Sequence, residues 1–238
     1  MKILSGKHPI KVGLENQTID RLIVDRTLTE NREVAAVMRL AKSKGIKVQE
    51  MGFRDIVNAY NPPQSFQGVL GIGRHQNQLD LGGLIDKKHE LIVMLDHMED
   101  PYNFGAILRS AESFGAGGIV YPKDRNVQLT PGVLKVASGA ADLLDLCKVT
   151  NLAQAIDQLK AADYWIYGAD AHYGQPLDRI TVHKPAVLVI GNEAKGLSPL
   201  IKKKLDDSLV IPTTGQTESL NVSVATGVLL FHISQSWK

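Results

Sequence analysis

The sequence has little cysteine and no long apolar run, and each absence excludes a class of protein. Its single cysteine, Cys147, cannot form an internal disulfide or a zinc site built only from cysteines. No apolar run approaches the ~20 residues that a helix needs to cross a bilayer. The first residues reach Gly6 and Lys7 too early for the apolar region of a signal peptide. We therefore expect a cytoplasmic protein that is not inserted in a membrane.

The composition is that of a folded globular protein. Of its 238 residues 44% are hydrophobic and 22% charged, which excludes a disordered or fibrous chain. Domains usually span ~100–200 residues, so we expect one large domain or two unequal ones. The seven histidines are scattered, with no His-Glu-x-x-His motif and no cysteine partners, so we expect no metal site.

The charge is unevenly distributed along the chain. Residues 1–80 contain 12 Lys and Arg against 8 Asp and Glu, a net charge of +4. Residues 81–238 contain 15 against 17, a net charge of −2. A basic first third favours contact with a polyanion, and ordinary variation of surface charge is the alternative.

Hydrophobic patterns predict two α/β domains, at residues 1–75 and 89–238, joined by a polar linker at residues 76–88. The first has a helix at 33–44 and strands at 22–24, 46–48 and 68–73. The second has near-continuous apolar runs, which are typical of a parallel sheet covered by helices on both faces. Its predicted strands are 91–95, 118–121, 165–168, 186–190 and 209–211, and its predicted helices are 104–114, 152–161, 199–205 and 222–236.

Common nucleotide and nucleophile motifs are incomplete or missing. The pair Gly71 and Gly73 begins a dinucleotide fingerprint, but Gln76 occupies the third glycine position. The loop 191–196 has the glycine spacing of a phosphate-binding loop, but Leu197 stands where a lysine is needed. No Gly-x-Ser-x-Gly elbow occurs. These gaps disfavour a small-molecule α/β enzyme of the usual kinds.

The first segment of interest, residues 100–111, follows a predicted buried strand. It places Asn103 and Arg109 where open α/β sheets bind their ligands. The alternative is structural: Asn103 caps a helix, and Arg109 extends from an apolar helix into solvent.

Two further segments follow later strands. In residues 189–198, Gly191 allows a sharp turn or close approach to a ligand, although a plain strand–turn–helix junction with Ser198 as N-cap is possible. Residues 211–213 lead to 218–227, where small and hydroxylated residues begin the last helix. Free backbone N–H groups there could bind a ligand, or the segment is simply a capped helix.

In this order, the three segments closely resemble the signature motifs of SpoU-type RNA ribose 2'-O-methyltransferases of the SPOUT superfamily. The resemblance covers the whole chain, because 5–9 and 66–69 resemble the ribosomal-protein-like RNA-binding domain of bacterial ribosomal RNA guanosine methyltransferases. Two positions depart from the pattern. Phe66 replaces a common His, and Ala194-Lys195 replaces a Gly-containing pair.

The resemblance implies a parallel-sheet domain with a C-terminal deep trefoil knot, a homodimer, and S-adenosylmethionine as cofactor without a metal. The residues implied to hold the cofactor are Gly191, Asn192, Gly196, Ile211, Pro212 and Leu220. The residues implied to be catalytic are Asn103, Arg109, Glu193, Ser219 and Asn221. Arg109 would activate the ribose hydroxyl as a base, or act as an electrostatic clamp, because a free arginine stays protonated to pH ~12 or above.

The resemblance favours ribosomal RNA, with a guanosine of the large subunit as target, because a separate first domain is present. The alternatives are the same chemistry on transfer RNA and a non-catalytic RNA-binding relative.

Overall fold

The computed structural model describes residues 2–15, 18–62, 66–73, 78–171, 173–215 and 219–238. The chain forms two compact units, residues 1–76 and 77–238. The division falls one residue from the predicted end of the first domain. No helix in the described ranges is both long and apolar enough to cross a membrane.

The first unit is a mixed sheet with helices on both faces. Its elements are β1 (Lys2–Ser5), α1 (Lys7–Glu15), β2 (Arg21–Asp25), α2 (Arg32–Ser43), β3 (Lys47–Met51), α3 (Phe53–Tyr60) and β4 (Val69–Gly73). The strand order is β1-β4-β2-β3; β2 and β3 are parallel, and β4 is antiparallel to both of its neighbours. The helices α1 and α2 pack on one face and α3 on the other.

The second unit is a parallel sheet. Its strands are β5 (Gln78–Leu79), β6 (Leu91–Leu95), β7 (Gly118–Pro122), β8 (Asp145–Val149), β9 (Trp165–Ala169), β10 (Gln175–Pro176), β11 (Ala186–Ile190) and β12 (Asp207–Val210). Its helices are α4 (Leu81–Asp86), α5 (Pro101–Ser113), α6 (Pro131–Ala137), α7 (Leu152–Ala161), α8 (Pro199–Lys202) and α9 (Val222–Ser236). The strand order over the described residues is β10-β12-β9-β11-β6-β7-β8-β5, with every pairing parallel.

Both faces of this second sheet are buried, as the apolar runs predict. Along β6, Val93 and Leu95 face the side covered by α5, α6 and α9, whereas Ile92 and Met94 face α4, α7 and α8. Successive side chains of a strand point to opposite faces, so a strand buried on both faces must be apolar throughout.

The predicted linker at residues 76–88 is largely structured. The strand β5 pairs with β8 in the second sheet. Asp80 is the N-cap of α4, and its carboxylate accepts the N–H of Gly83 at 2.8 Å. Leu84 is fully buried. Residues 76 and 77 lie outside the described residues. The prediction was wrong for 78–86 because two glycines and a length of six residues conceal a short helix that tertiary contacts stabilise.

Candidate active site at the carboxyl ends of two neighbouring strands

The strands β6 and β11 lie side by side in register, with Leu95 opposite Ile190. Because parallel strands end at the same edge of a sheet, the segments that follow them meet there. The N–H of Asp96 donates to the carbonyl of Ile190 at 2.8 Å, which continues the pairing one step beyond the strands. Asp96 and Gly191 are therefore the first residues of the site.

Asp96 is a buried carboxylate that joins the two segments. Its side chain is 1% exposed. One oxygen accepts the N–H of Ser198 at 2.7 Å, and the other lies 2.6 Å from Nδ1 of His97. Burying a carboxylate is costly unless it is hydrogen-bonded, so these contacts fix the end of the loop 191–198 against β6. Asp96 and His97 were not among the predicted site residues. The signal that could have found them is a charged residue immediately after a fully apolar strand.

Asn192 organises the loop after β11. Its side-chain oxygen accepts the N–H groups of Ala194 and Lys195 at 3.0 and 3.1 Å, and its Nδ2 donates to the carbonyl of His97 at 2.9 Å. The backbones of Asn192 and Gly196 exchange two further hydrogen bonds. The departure at Ala194-Lys195 is thus accommodated through backbone N–H groups, which any pair except one with proline provides.

Two glycines of this loop have a steric role. A Cβ on Gly191 would lie 2.3 Å from the carbonyl carbon of Gly196 and 2.5 Å from the nitrogen of Leu197. No side chain fits between these backbones. Gly196 has φ +65°, a conformation that L-residues with side chains adopt with difficulty.

Asn103, Glu193 and Asn221 come from the three separate segments and form one hydrogen-bonded chain. The Nδ2 of Asn103 donates to Oε1 of Glu193 at 3.4 Å, and the Nδ2 of Asn221 donates to Oδ1 of Asn103 at 3.2 Å. Glu193 also accepts the N–H of Asp100 at 3.1 Å. The sequence predicted these three residues as site members, and the structure brings them together.

Asn103 is not the N-cap that the structural alternative proposed. The helix α5 begins earlier, with Asp100 as N-cap accepting the N–H of Tyr102 at 2.9 Å and Pro101 in the first turn. Asn103 lies within the helix and is 9% exposed. Its side-chain amide is hydrogen-bonded to Glu193 and Asn221. A buried amide without such partners would destabilise the fold, so the three side chains depend on one another.

Arg109 stands apart from this chain of hydrogen bonds. It lies six residues beyond Asn103 on α5, is exposed, and has no hydrogen bond or ion pair with the part of the chain that the structure describes. Six residues of an α-helix advance ~9 Å and turn by more than one and a half revolutions, so the two side chains leave different faces. A single chain therefore does not join Arg109 to the buried cluster.

The third segment supplies exposed groups beside the cluster. Asn221 is the N-cap of α9, and its Oδ1 accepts the N–H groups of Ser223 and Val224 at 2.9 and 3.3 Å. Ser219 and Leu220 precede it and are exposed, and Ile211 and Pro212 follow β12 with accessible surface. Residues 216–218, including Glu218 at the start of the predicted segment, lie outside the described residues. No hydrogen bond joins Ser219 to the described part of the cluster.

Burial raises the pKa values of a thiol and a phenol in the second unit, Cys147 and Tyr121. Burial, aided by the carboxylate of Asp80, raises the pKa of Cys147 to about 11. Burial also raises the pKa of Tyr121 to about 12. A buried neutral thiol is a weak nucleophile, so Cys147 is not assigned a catalytic role. Within the described residues, no group of three or more His, Cys, Asp or Glu side chains is arranged to hold a metal ion.

Comparison with known proteins places this arrangement in a family. The SpoU rRNA Methylase family matches residues 90–231. A 23S rRNA (guanosine-2'-O-)-methyltransferase, RlmB, of Coxiella burnetii is 34% identical over 242 residues, covering 99% of this chain and 96% of the relative. An "uncharacterized tRNA/rRNA methyltransferase" of Synechocystis sp. is 34% identical over 240 residues; the match covers 98% of this chain but 62% of that protein.

A solved structure shares the fold over nearly the whole length. The AdoMet-bound rRNA methyltransferase from Sinorhizobium meliloti aligns with a TM-score of 0.80 at 24% identity, covering 98% of this chain and 86% of that chain. At this identity the likeness concerns the fold, and the relatives above carry the family assignment. The protein therefore belongs to the SpoU rRNA Methylase family of RNA methyltransferases.

Proposed function

We propose that this protein transfers a methyl group from S-adenosylmethionine to a ribose 2'-hydroxyl of ribosomal RNA, with a guanosine of the large subunit as the target. The observation that carries the proposal is the chain of hydrogen bonds from Glu193 through Asn103 to Asn221. It unites the three segments that resemble the SpoU motifs at the edge where α/β sheets bind ligands. The name of the Coxiella relative supports this nucleoside and reaction.

The loops around the cluster suit a cofactor that is bound mainly by backbone groups. A side chain at Gly191 would clash with the backbone of Gly196 and Leu197, and Gly196 has a φ of +65° that favours glycine, so the loop 191–198 presents its main chain. Leu220, 39% exposed, and the half-buried Ile211 offer apolar surface for an adenine ring. We assign these residues, with Asn192 and Pro212, to cofactor binding. When bound, S-adenosylmethionine supplies an electrophilic methyl group on a sulfonium.

The catalytic roles follow from charge and position. Glu193 fixes the amide of Asn103 and the start of α5, so Asn103 orients the ribose or the groups around it. Arg109, which has no ion-pair partner among the described residues, either removes the hydroxyl proton or holds the target phosphate and stabilises the developing alkoxide. Ser219 and the N-terminal end of α9 contact the cofactor or the substrate.

The active unit is a homodimer formed through α9. This helix carries no charged residue, and Val224, Val228 and Phe231 form an exposed apolar stripe at positions i, i+4 and i+7, with exposed fractions of 52%, 38% and 52%. A helix that is apolar all round normally has every face covered. The ring of Phe231 packs edge-on against Phe114, at the end of α5, with centroids 5.8 Å apart. A second copy packed on this stripe would lie beside α5, the helix that carries Arg109. A site completed by the second copy would explain why Arg109 lies apart from the hydrogen-bonded cluster within one chain.

The C-terminal segment threads a deep trefoil knot. Supporting this, β12 lies beyond β9 at one side of the sheet, whereas the next helix, α9, packs against α5 near β6 and β7. The chain after β12 must therefore cross back over the ends of the central strands. Such a crossing is what a knotted connection requires, and ordinary folds avoid it.

Ribosomal RNA is preferred to transfer RNA because the first unit is a separate basic domain. Residues 1–76 hold 12 Lys and Arg against 7 Asp and Glu, a net charge of +5. A separate domain of this kind, in place of short terminal extensions, is what the resemblance associates with enzymes of ribosomal RNA, and its cations can contact phosphates of the substrate.

The test is methyl transfer with the purified protein. It is incubated with radiolabelled S-adenosylmethionine and, separately, unmodified large-subunit ribosomal RNA and unmodified transfer RNA transcripts. We expect label in the ribosomal RNA, at a ribose that then resists alkaline cleavage of the next phosphodiester. Label only in transfer RNA would move the substrate to that class, and cofactor binding without label in any RNA would favour a non-catalytic relative.

A further inference from the structure

One edge of the sheet in the first unit exposes apolar and cationic side chains together. The parallel strands β2 and β3 end side by side, with Asp25 opposite Met51. The antiparallel strand β4 begins at the same edge, with Val69 opposite Val24. The residues that follow β2 and β3 and those that precede β4 must therefore meet there. We call Arg26, Leu28, Phe53, Arg54 and Phe66 the rim.

The aromatic part of the rim pairs an exposed ring, Phe53, with a half-buried one, Phe66. Phe53, in the first turn of α3, is 53% exposed. Its ring lies 6.1 Å from that of Phe66, with an angle of 32° between the ring planes. Val57, one turn along α3 from Phe53, is 37% exposed. Underneath, Phe66 packs on the buried cluster that contains Ile56, so the rings rest on a rigid base.

Leu28 extends the apolar surface across the start of β4. It is 38% exposed, and it covers Gly68 so closely that a Cβ there would meet its Cδ1 at 2.6 Å. The turn that carries it is fixed by the buried carboxylate of Asp25, which accepts the N–H and the hydroxyl of Thr27 at 3.0 and 2.8 Å. The rim is thus held by the folded unit and is not a set of independent side chains.

Two arginines flank this apolar surface. Arg26 and Arg54 are exposed and form no ion pair with the described residues. Each has an acid beside it in the chain: Asp25, next to Arg26, is buried and accepts from Thr27, and Asp55, next to Arg54, lies in the first turn of α3 at the positive end of the helix. The surrounding unit carries a net charge of +5. A surface that combines flat rings with free guanidinium groups in a basic domain suits a ligand with planar bases and phosphates.

We propose that the rim is a stacking platform for unpaired RNA bases, with Phe53 and Phe66 against base faces and Arg26 and Arg54 at the adjoining phosphates. This inference rests on the proposed function, since it assumes that RNA is the substrate. Bases in a duplex are stacked already and cannot reach such a surface, so the platform selects loops, bulges or single strands. The departure at Phe66 from the histidine that the resemblance predicts then enlarges the stacking surface.

The experiment measures RNA binding by full-length protein with a short single-stranded RNA and with the same sequence as a duplex. We expect Phe53→Ala and Phe66→Ala to weaken single-strand binding by about 5- to 100-fold, the range for loss of one stacked base. Duplex binding should change little. Leu143→Ala, which removes another exposed apolar side chain in the second unit, is the control and should leave both affinities unchanged.

Charge is tested separately from stacking. Arg54→Gln should weaken binding and reduce its dependence on salt concentration by about one phosphate contact. Arg39→Gln, an exposed arginine on α2 away from the rim, should have a smaller effect. Equal effects of the two changes would mean that only the overall charge of the unit matters, and would overturn the arginine part of the proposal.

A crosslink locates the bases directly. The single-stranded RNA carries 5-bromouridine, and after irradiation the protein is digested with trypsin. We expect the attached nucleotide on peptide 48–54, which contains Phe53, or on peptide 55–74, which contains Phe66. Crosslinks confined to other peptides would overturn the platform even if a substitution had reduced folding.

Three outcomes have distinct meanings. If the wild-type protein neither binds nor methylates RNA, the proposed function fails. If it does both and the Phe53 and Phe66 variants behave like wild type, only the platform fails. If Phe53→Ala leaves RNA affinity intact but lowers the thermal stability of the full chain, the ring of Phe53 serves only the packing of the first unit and the platform is rejected.

Discussion

The two units of this protein use the edges of their sheets differently. In the first, the edge formed by the ends of β2 and β3 exposes rings and arginines over a buried apolar base. In the second, the edge formed by the ends of β6 and β11 buries a carboxylate and an amide in a hydrogen-bonded cluster. Of the buried polar residues in the described ranges, only Asp25 belongs to the first unit, and Asp96, Asn103 and Thr226 belong to the second.

This difference matches the roles that we propose, recognition for the first unit and chemistry for the second. Buried, fixed polar groups are costly but hold reacting atoms precisely, whereas exposed rings and cations tolerate varied ligands. Changes that affect one unit and spare the other test these two roles separately.

The largest effect should follow removal of the first unit. A fragment of residues 77–238 retains every residue of the candidate cofactor site, and the division into compact units suggests that it folds. We expect calorimetry to show cofactor binding close to that of the full chain, while methylation of folded ribosomal RNA falls to background. Methylation of the full-length RNA at an unchanged rate would contradict the separation of roles.

Replacing Arg109 should remove most of the activity of the second unit. Arg109→Ala should slow methyl transfer by ~10²–10⁴, the range for a general base or an oxyanion clamp. Cofactor affinity should change little, because the residues assigned to the cofactor lie at 191–221. Single-turnover rates and calorimetry measure the two quantities. Arg179→Ala, which removes another exposed arginine of the same unit, is the control.

A lysine at the same position separates the two roles of Arg109. If charge suffices, Arg109→Lys should retain part of the activity with no new dependence on pH. If proton removal matters, its rate should rise as pH approaches the lysine pKa, since the neutral amine then becomes available. A wild-type rate for Arg109→Ala would instead return Arg109 to an ordinary exposed residue.

The two buried carboxylates allow a matched test of stability against function. Asp96→Ala and Asp25→Ala each leave buried donors without their acceptor, and each should lower the free energy of unfolding by about 1–3 kcal/mol, measured with denaturant. Only Asp96→Ala should also weaken cofactor binding, because Asp96 holds the loop 191–198 through Ser198. Equal losses of cofactor affinity would show that the edges are coupled.

The smallest effect concerns Cys147, whose pKa is raised to about 11. A thiol reagent should modify it in the native protein at pH 8 on the order of a hundredfold more slowly than in the unfolded chain, since the thiolate is the reactive form. The raised pKa also contributes stability that is complete below pH ~8.5 and is lost as pH rises towards about 11. Fast modification of the native protein would show that the core around β8 opens readily.

Local pattern predicted much of the second unit. The helices 152–161 and 222–236 were predicted with the bounds that the structure has, and the strands 91–95 and 186–190 match as well. The strand β8 and the helices α4 and α6 were missed. Asp145 and Lys148 interrupt the apolar run of β8, and α4 and α6 are too short to show a helical period. Pairing with β7 and burial of single residues such as Leu84 and Val133 stabilise them.

The parallel α/β architecture follows from the sequence, because strands buried on both faces have to be apolar throughout. The three segments of the candidate site could also be identified from the sequence. Only the tertiary structure decided which members of those segments meet. The edge shared by β6 and β11 brings Asn103, Glu193 and Asn221 together from positions far apart in the chain, and it reveals Asp96 as the buried carboxylate that accepts the N–H of Ser198 at the end of the loop 191–198. Arg109 lies on the same helix as Asn103 yet points elsewhere, because the turn of an α-helix, and not nearness in sequence, sets the direction of a side chain.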